Sequence, residues 1–343
     1  MKAMILAGGM STRLYPLTKQ VPKPLVPVGG EPNAVHLIRY LQSYGYDEIA
    51  INVHYLADAI VAALGDGSRF GVKLEYLHEK ELLGSAGALK QMEGFFGNEA
   101  FVVVGCDDLT DLRLDELVAF HRERQAIATI GLVEFERVDQ LGVVVTDEGG
   151  KVVDFQEKPA PGTERSHTVN TGIYVFDPAI FHRIPSDTFY DFGKQVFPEL
   201  QIANAAFYGY AALGAYWCDI GTPSEYRRAS RDLLSGAFSI PGARSQGVDP
   251  SAKVAATAVL EGAILVGKDV VIGQGAHIVG PTVIGDRVRI GAASRIEASI
   301  LWEGASVGAS SFVGGSIVGI DYAIPAASSI DCMIVANEEV PQR

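Results

Sequence analysis

The chain has 343 residues, 48% of them hydrophobic and 20% charged, which supplies enough apolar material for buried cores and excludes global disorder. Its formal net charge of −13 argues against polyanionic partners, so neither nucleic acid nor an anionic membrane is expected. Cys106, Cys218 and Cys332 show no C-x-x-C spacing, the start makes a poor signal peptide, and no run approaches roughly 18 apolar residues; a reduced cytoplasmic protein with no disulfide framework, zinc cluster or membrane span is expected.

Short apolar runs alternate with longer amphipathic ones. Strands are predicted at 3–7, 48–53, 73–77 and 101–105, and helices over Ala34–Tyr44, Leu56–Leu64, Ser85–Phe95 and Leu114–Arg124. This βαβ rhythm, with runs such as Val102-Val103-Val104 that are apolar on both faces, predicts an α/β fold built on a Rossmann-like, mostly parallel sheet. Beyond Ala126 strands dominate and read as a β-rich lobe on the sheet's far side, with Asp147-Glu148-Gly149-Gly150 as a hairpin turn. The Gly-, Ser- and Pro-rich stretch near 236–250 reads as a linker and divides the chain into 1–236, 237–250 and 251–343.

From Val254 an aliphatic residue recurs every six positions, through Leu260, Val266, Ile272, Ile278, Ile284, Ile290 and Ile296. The period slips by one near Trp302 and resumes at Val307 and Val313. This is the pattern of a parallel β-helix, in which each flat face contributes one inward aliphatic residue. It resembles the left-handed hexapeptide β-helix, and about ten hexads at three per coil predict a little over three coils.

The richest chemistry follows the first strand, in Leu6-Ala7-Gly8-Gly9-Met10-Ser11-Thr12-Arg13-Leu14 and then Pro22-Lys23-Pro24-Leu25. Residues 1–40 carry Lys2, Arg13, Lys19, Lys23 and Arg39 against Glu31 alone, a local positive charge in an acidic protein. Glycines let backbone N–H groups approach phosphate oxygens, and Arg13 and Lys23 add charge at the sheet's carboxyl edge. The spacing matches neither a Walker A loop nor a G-x-G-x-x-G fingerprint.

Together with Glu81-Leu82-Leu83-Gly84-Ser85-Ala86-Gly87, Cys106-Asp107-Asp108, Gly142-Val143-Val144, Glu157-Lys158-Pro159, Asn170-Thr171-Gly172 and Trp217-Cys218-Asp219-Ile220-Gly221, these motifs resemble the sugar-1-phosphate nucleotidyltransferase family, in its order, over roughly the first 225 residues. With a hexapeptide β-helix behind, the mannose-1-phosphate guanylyltransferases are the most similar branch.

That resemblance implies a reaction in which a sugar-1-phosphate oxygen attacks the α-phosphorus of a nucleoside triphosphate and pyrophosphate leaves. Positioning, cations and Mg²⁺ then do most of the work. It further implies Asp107 and Asp219 as Mg²⁺ ligands, Arg13 on the leaving pyrophosphate and Lys23 on the α-phosphate. Leu6, Ala7, Gly8, Gly9, Ser11 and Thr12 would form the nucleotide loop, and Glu79, Gly84 and Ser85 would lie against the base. Gly142, Glu157, Lys158, Asn170, Thr171 and Gly172 would hold the sugar phosphate. Guanine offers adjacent donors to an acceptor-only carboxylate such as Glu79 or Glu81, which favours GTP with a hexose-1-phosphate partner.

Singly, Asp107 also reads as a helix cap, Asp219 as a turn residue, the two glutamates as solvated loop residues and Lys19 as solvated. Two departures from the family pattern stand out. Ser11 replaces a third glycine, which obstructs the loop if that position needs positive φ, and Cys106 replaces the glycine before the first metal aspartate. Sister enzymes using UTP, dTTP or CTP with glucose-1-phosphate, and a non-catalytic nucleotide-sugar-binding subunit, are the alternatives. An acyltransferase built on His277 ranks below them. The open ends of a coil stack predict a homo-oligomer through the β-helix.

Overall fold

The structure is a computed structural model that describes residues 1–136, 138–212 and 214–337. Its contacts gather into two units: Met1–Gly9 with Leu37–Asp219, and Met10–His36 with the chain from Ile220 onward. No helix among the described residues is long and apolar enough to cross a membrane.

In the first unit, strands β1 (Lys2–Leu6), β2 (Glu48–Val53), β3 (Lys73–His78) and β4 (Phe101–Gly105) lie parallel in the order β3-β2-β1-β4, within a residue of the predicted positions. Ala3, Met4, Ile5, Val102, Val103 and Val104 are wholly buried, as a sheet covered on both faces requires.

The later strands form no separate lobe. The ribbon β5 (Asp108–Thr110) aside, β6 (Ala128–Glu134), β7 (Gly142–Thr146), β8 (Val152–Glu157), β9 (Thr168–Phe176) and β10 (Phe207–Ala211) extend the same sheet to nine strands among the described residues. The cause lies in β4, whose buried far edge needs a hydrogen-bonding partner; β9 supplies it antiparallel, Tyr174 facing Val103. The hairpin at Asp147–Gly150 joins β7 to β8, closed by Asp147 N–H on Lys151 O at 2.9 Å with Gly150 at φ 82°. Phe101, Phe176, Phe192, Phe197 and Phe207 fill the core beside β9.

The second unit carries the left-handed β-helix, whose short strands from Gly247–Val248 to Ile334–Val335 stack into parallel ladders of six, five and five. This makes five coils rather than a little over three. The slip near Trp302 recurs: Ile284 pairs with Leu301, Leu301 with Val318 and Val318 with Val335, 17 residues apart each time, so a strict six-residue count loses the later coils. Buried hydroxyls complete the shortened corner. Ser299 Oγ accepts Ser316 N–H at 3.1 Å, and Ser316 Oγ accepts Met333 N–H at 3.1 Å. The inward residues Val266, Ile272, Ile278, Ile284, Ile290 and Ile296 form one continuous core.

The helix Pro223–Ser235 precedes this stack, capped by Thr222, whose Oγ1 accepts Glu225 N–H, and ended by Gly236 at φ 74°. The aperiodic stretch after it is packed, with Phe238 and Ile240 buried and Gln246 donating to Leu234 O at 2.5 Å.

Candidate functional site at the strand ends

In the first unit the motif residues sit beyond the carboxyl ends of parallel strands, where an open α/β sheet places its ligands. Leu6 ends β1 and accepts Cys106 N–H through its carbonyl at 3.0 Å. Ala7 N–H donates to Asn52 Oδ1 at 2.9 Å, Asn52 Nδ2 donates to Glu79 Oε2 at 2.6 Å, and Leu83 N–H donates to Glu79 Oε1 at 3.1 Å. A Cβ on Gly8 would lie 2.7 Å from Glu79 Oε2 and 2.8 Å from Asn52 Nδ2, so glycine is what allows the turn to rest on this brace. Gly9 faces open space. Asn52 escaped the sequence reading because it sits mid-run in an apolar strand; Glu79 is buried and holds the loop from below, while Glu81 is exposed.

Gly84 and Ser85 turn against the segment 188–192. A Cβ on Gly84 would come within 2.5 Å of Tyr190 O, Ser85 Oγ donates to Asp191 Oδ2 at 2.9 Å, and Phe192 N–H returns a bond to Ser85 Oγ at 2.9 Å. Asp191, absent from the sequence-predicted residues, braces this turn. Its signal was Asp191-Phe192-Gly193, a side chain accepting the N–H groups of Gly193 and Lys194.

Asp108 and its neighbours divide the labour of acidic groups. Asp108 is buried, accepts Trp217 Nε1–H at 3.0 Å, and is so close to Gly105 and Gly172 that a Cβ on either would lie 2.5 or 2.3 Å from its Oδ2. Trp217 also donates to Thr171 O at 2.8 Å. β11 (Trp217–Asp219) pairs antiparallel with β5, which sets Asp219 opposite Asp108, one residue along the chain from Asp107. Asp107 and Asp219 are both half-buried. Among the described residues no three His, Cys, Asp or Glu side chains form a metal cage. Two acceptor-only carboxylates at one ribbon end nonetheless fit Mg²⁺, which takes one or two carboxylates and keeps its waters.

Glu157 and Gly142 are directly paired across β7 and β8, and a Cβ on Gly142 would lie 3.4 Å from both Glu157 Oε2 and Asn170 Cβ. Asn170 donates to Tyr174 Oη at 3.0 Å and accepts Gly172 N–H at 2.9 Å. Lys158 adopts φ 48° with its Nζ 3.9 Å from Glu157 Oε1. Gly142, Glu157, Lys158 and Asn170 thus lie close together on neighbouring strands. Thr171 instead turns inward, its Oγ1 donating to Gly131 O at 2.7 Å. Burial raises the Glu157 carboxyl above its ordinary pKa; Lys158 and Lys194 oppose that rise and Asp191 adds to it.

In the second unit Ser11 stands at φ 54°, ψ 47°, so the position does demand the left-handed region. Its carbonyl accepts Leu14 N–H at 3.2 Å and Thr18 Oγ1–H at 2.8 Å, which offsets the strain. Thr12 and Arg13 form an exposed turn over the buried Leu14. Lys23 is only 7% exposed and opens a second turn, closed by Val26 N–H on Lys23 O at 3.1 Å. On the β-helix, His277 Nδ1 lies 2.6 Å from Arg295 Nη1, and its Nε2 lies 3.2 Å from Glu261 Oε2 without hydrogen-bond geometry.

Residues 2–236 match the nucleotidyl transferase family model. The chain belongs to the nucleotidyl transferase family. Residues 263–298 also match the bacterial transferase hexapeptide (six repeats) model. This family member is 39% identical to a UTP--glucose-1-phosphate uridylyltransferase of Synechocystis sp., over 90% of this chain and 84% of that one. It is 35% identical to a mannose-1-phosphate guanylyltransferase of Mycobacterium tuberculosis, over 89% and 80%. With a probable mannose-1-phosphate guanylyltransferase 1 of Oryza sativa subsp. japonica it shares 32% over 99% and 92%. A crystal structure of a putative glucose-1-phosphate thymidylyltransferase from Bacillus anthracis aligns with a TM-score of 0.60 at 28% identity, covering 67% of this chain and 94% of that one. As a sugar-1-phosphate nucleotidyltransferase with a C-terminal hexapeptide region, the chain has a nucleoside triphosphate and a sugar-1-phosphate as its expected substrate classes.

Proposed function

We propose that the chain transfers the guanylyl group of GTP to mannose-1-phosphate, giving GDP-mannose and pyrophosphate, with a catalytic part over 1–236 and a β-helix over 251–343. What supports this reading is the β5/β11 ribbon, which pairs Asp219 with Asp108, the chain neighbour of Asp107, although 112 positions separate Asp107 from Asp219. Mg²⁺ bound by Asp107 and Asp219 would supply positive charge to both phosphate groups.

The chain's own residues do the rest. Gly8 and Gly9 present backbone N–H groups to the triphosphate, with Ser11 and Thr12 continuing the loop, and Asn52 and Glu79 hold that loop still. Lys23 neutralises the α-phosphate, and Arg13 the pyrophosphate as the bond between the α-phosphorus and the bridging oxygen breaks. Glu157 accepts sugar hydroxyls, Lys158 grips the sugar phosphate, and Asn170 with the backbone at Gly142 and Gly172 shapes the pocket. Gly84 and Ser85, braced by Asp191, form the wall for the base. The protein acts as a homo-oligomer joined through the β-helix.

Transfer from UTP to glucose-1-phosphate is the second reading. Two observations favour it: the 39% identity with the Synechocystis enzyme, and the engagement of both Glu79 oxygens by Asn52 and Leu83, which takes that carboxylate away from guanine. Pyrophosphate release with Mg²⁺ over four nucleoside triphosphates and three sugar-1-phosphates separates the two. Turnover confined to GTP with mannose-1-phosphate, falling about a thousandfold in Asp107→Ala and Asp219→Ala, is the expected result. Turnover confined to UTP with glucose-1-phosphate selects the second reading, and nucleotide-sugar binding without turnover for any pair leaves only a non-catalytic subunit.

A further inference from the structure

The second unit joins two stretches that the motifs treat as unrelated, the Lys23 segment and the β-helix. Trp302, 3% exposed, projects from the coil after the strand Ile300–Leu301 and donates its Nε1–H to Tyr226 Oη at 2.9 Å. Tyr226, on the helix Pro223–Ser235, is wholly buried, and its hydroxyl donates to Pro27 O at 2.5 Å. Pro27 begins the hairpin Pro27–Val28/Glu31–Pro32, two residues after the turn Lys23–Leu25. Burial holds the Tyr226 hydroxyl far above its ordinary pKa, so it remains a donor at every working pH.

The same hairpin is gripped at its tip. A Cβ on Gly29, which has φ 59°, would lie 2.5 Å from Leu233 Cδ2 of that helix. Beside the relay is a cavity of about 120 Å³ with Val21, Leu25 and Pro27 on one wall and Leu301 and Trp302 on the other. The Lys23 segment is thus not packed solidly against the β-helix at this point. A directional contact between them is the hydrogen-bonded chain Trp302–Tyr226–Pro27.

We propose that Tyr226 and Trp302 are positioning residues for nucleotidyl transfer: through their hydrogen-bonded chain the β-helix sets the backbone height of the Lys23–Val28 segment, and with it the placement of the Lys23 ammonium on the α-phosphate. This role rests on the function proposed above for Lys23. The β-helix is then a working part of the transfer step as well as a surface for assembly.

Tyr226→Phe keeps the ring and deletes the hydroxyl; Trp302→Phe keeps an aromatic body and deletes the donor, and serves should the first variant fold poorly. Expected for Tyr226→Phe is a kcat about tenfold below the parent, KM for the sugar-1-phosphate within twofold, and a melting temperature within a few degrees. Trp302→Phe shows the same split at about threefold. In a Lys23→Gln background Tyr226→Phe costs nothing further, because the residue acts through the lysine. Amide exchange supplies a readout besides turnover. The N–H groups of Val26 and Asn33, bonded to Lys23 O and Val26 O, exchange at least fivefold faster in Tyr226→Phe, while Ile300 in the ladder is unchanged.

A parent that turns over, with Tyr226→Phe equal to it in kcat and in exchange at Val26, overturns this role and leaves the function standing. Equal losses in the parent and Lys23→Gln backgrounds overturn it too, since the tyrosine then acts independently of the lysine. A parent that turns over no substrate pair removes the functional reading and this role together.

Discussion

Left-handed backbone is used in opposite ways by the β-helix and by the motif loops. In the β-helix it recurs in three columns at the corners: Asp269, Arg287, Gly304 and Asp321; Gly275, Ala293, Ser310 and Ala327; and Ala298, Gly315 and Cys332. Each such residue outside glycine costs about 1–2 kcal/mol in isolation. Here the corner N–H groups bond to the previous coil, as Arg287 does to Lys268 O at 2.7 Å and Asp321 to Glu303 O at 3.0 Å. Repetition turns a local strain into a shared rule. Ser11, Gly172 and Lys158 adopt positive φ singly, and each sits in a motif that the functional reading uses. Isolated positive φ also occurs at Leu56, Gln125, Asp187 and Asn204, outside the motifs, so it is the coincidence with a motif that singles out Ser11, Lys158 and Gly172.

The sharpest way to break that contrast is at Gly172, which has φ 75°. Gly172→Ala would set a Cβ 2.3 Å from the buried Asp108 carboxylate, and a loss of about 3 kcal/mol in urea unfolding is expected, whereas Ala293→Gly at a β-helix corner should shift stability by less than about 1 kcal/mol. Comparable losses at the two positions would remove the distinction.

Acid sharpens the comparison differently. His121 is buried in the first unit, its Nδ1 2.9 Å from Thr129 Oγ1, and burial lowers its pKa from 6.5 to about 4. A depressed folded-state value means the unfolded chain takes the proton first. The stability this group contributes is whole above pH 6.5 and is lost as pH falls to about 4, some 3 kcal/mol in all. Amide exchange at pH 5 should therefore quicken in β4 and β6 before it does in the coil ladders, and His121→Gln should flatten the pH dependence.

The smallest effect is at Ser11. Ser11→Gly relieves φ 54° and should raise the melting temperature by the equivalent of about 1 kcal/mol, with turnover equal to or above that of the parent. A destabilised glycine variant would show that the serine, rather than the backbone conformation, is what the loop requires.

Much of this was legible in the chain. The parallel strands and the hexad core followed from periodicity, because burial on both faces and one inward residue per face leave direct marks. The strands after Ala126 continue the main sheet, and no local pattern reports this, because which edge a strand joins is decided by the unpaired edge of β4 and not by the strand itself. The later coils were missed because a 17-residue coil breaks the six-residue count, with buried serines completing the corner. In the candidate site, Gly142, Glu157, Lys158 and Asn170 lie close together because β7, β8 and β9 are neighbours in the sheet. Asn52 and Asp191 act through side chains spaced 27 and 106 positions from their partners Glu79 and Ser85, and no local pattern reports such pairings.

The hydroxyl ladder of the coils makes the length of this part of the chain a quantised variable. Ser299, Ser316 and their backbone partners align only when successive coils hold the same number of residues. Removing one coil of 17 residues leaves every remaining rung matched, while removing one residue offsets all rungs beyond it. Insertions and deletions there should be tolerated in a comb of whole coils, with the intervals between the teeth empty.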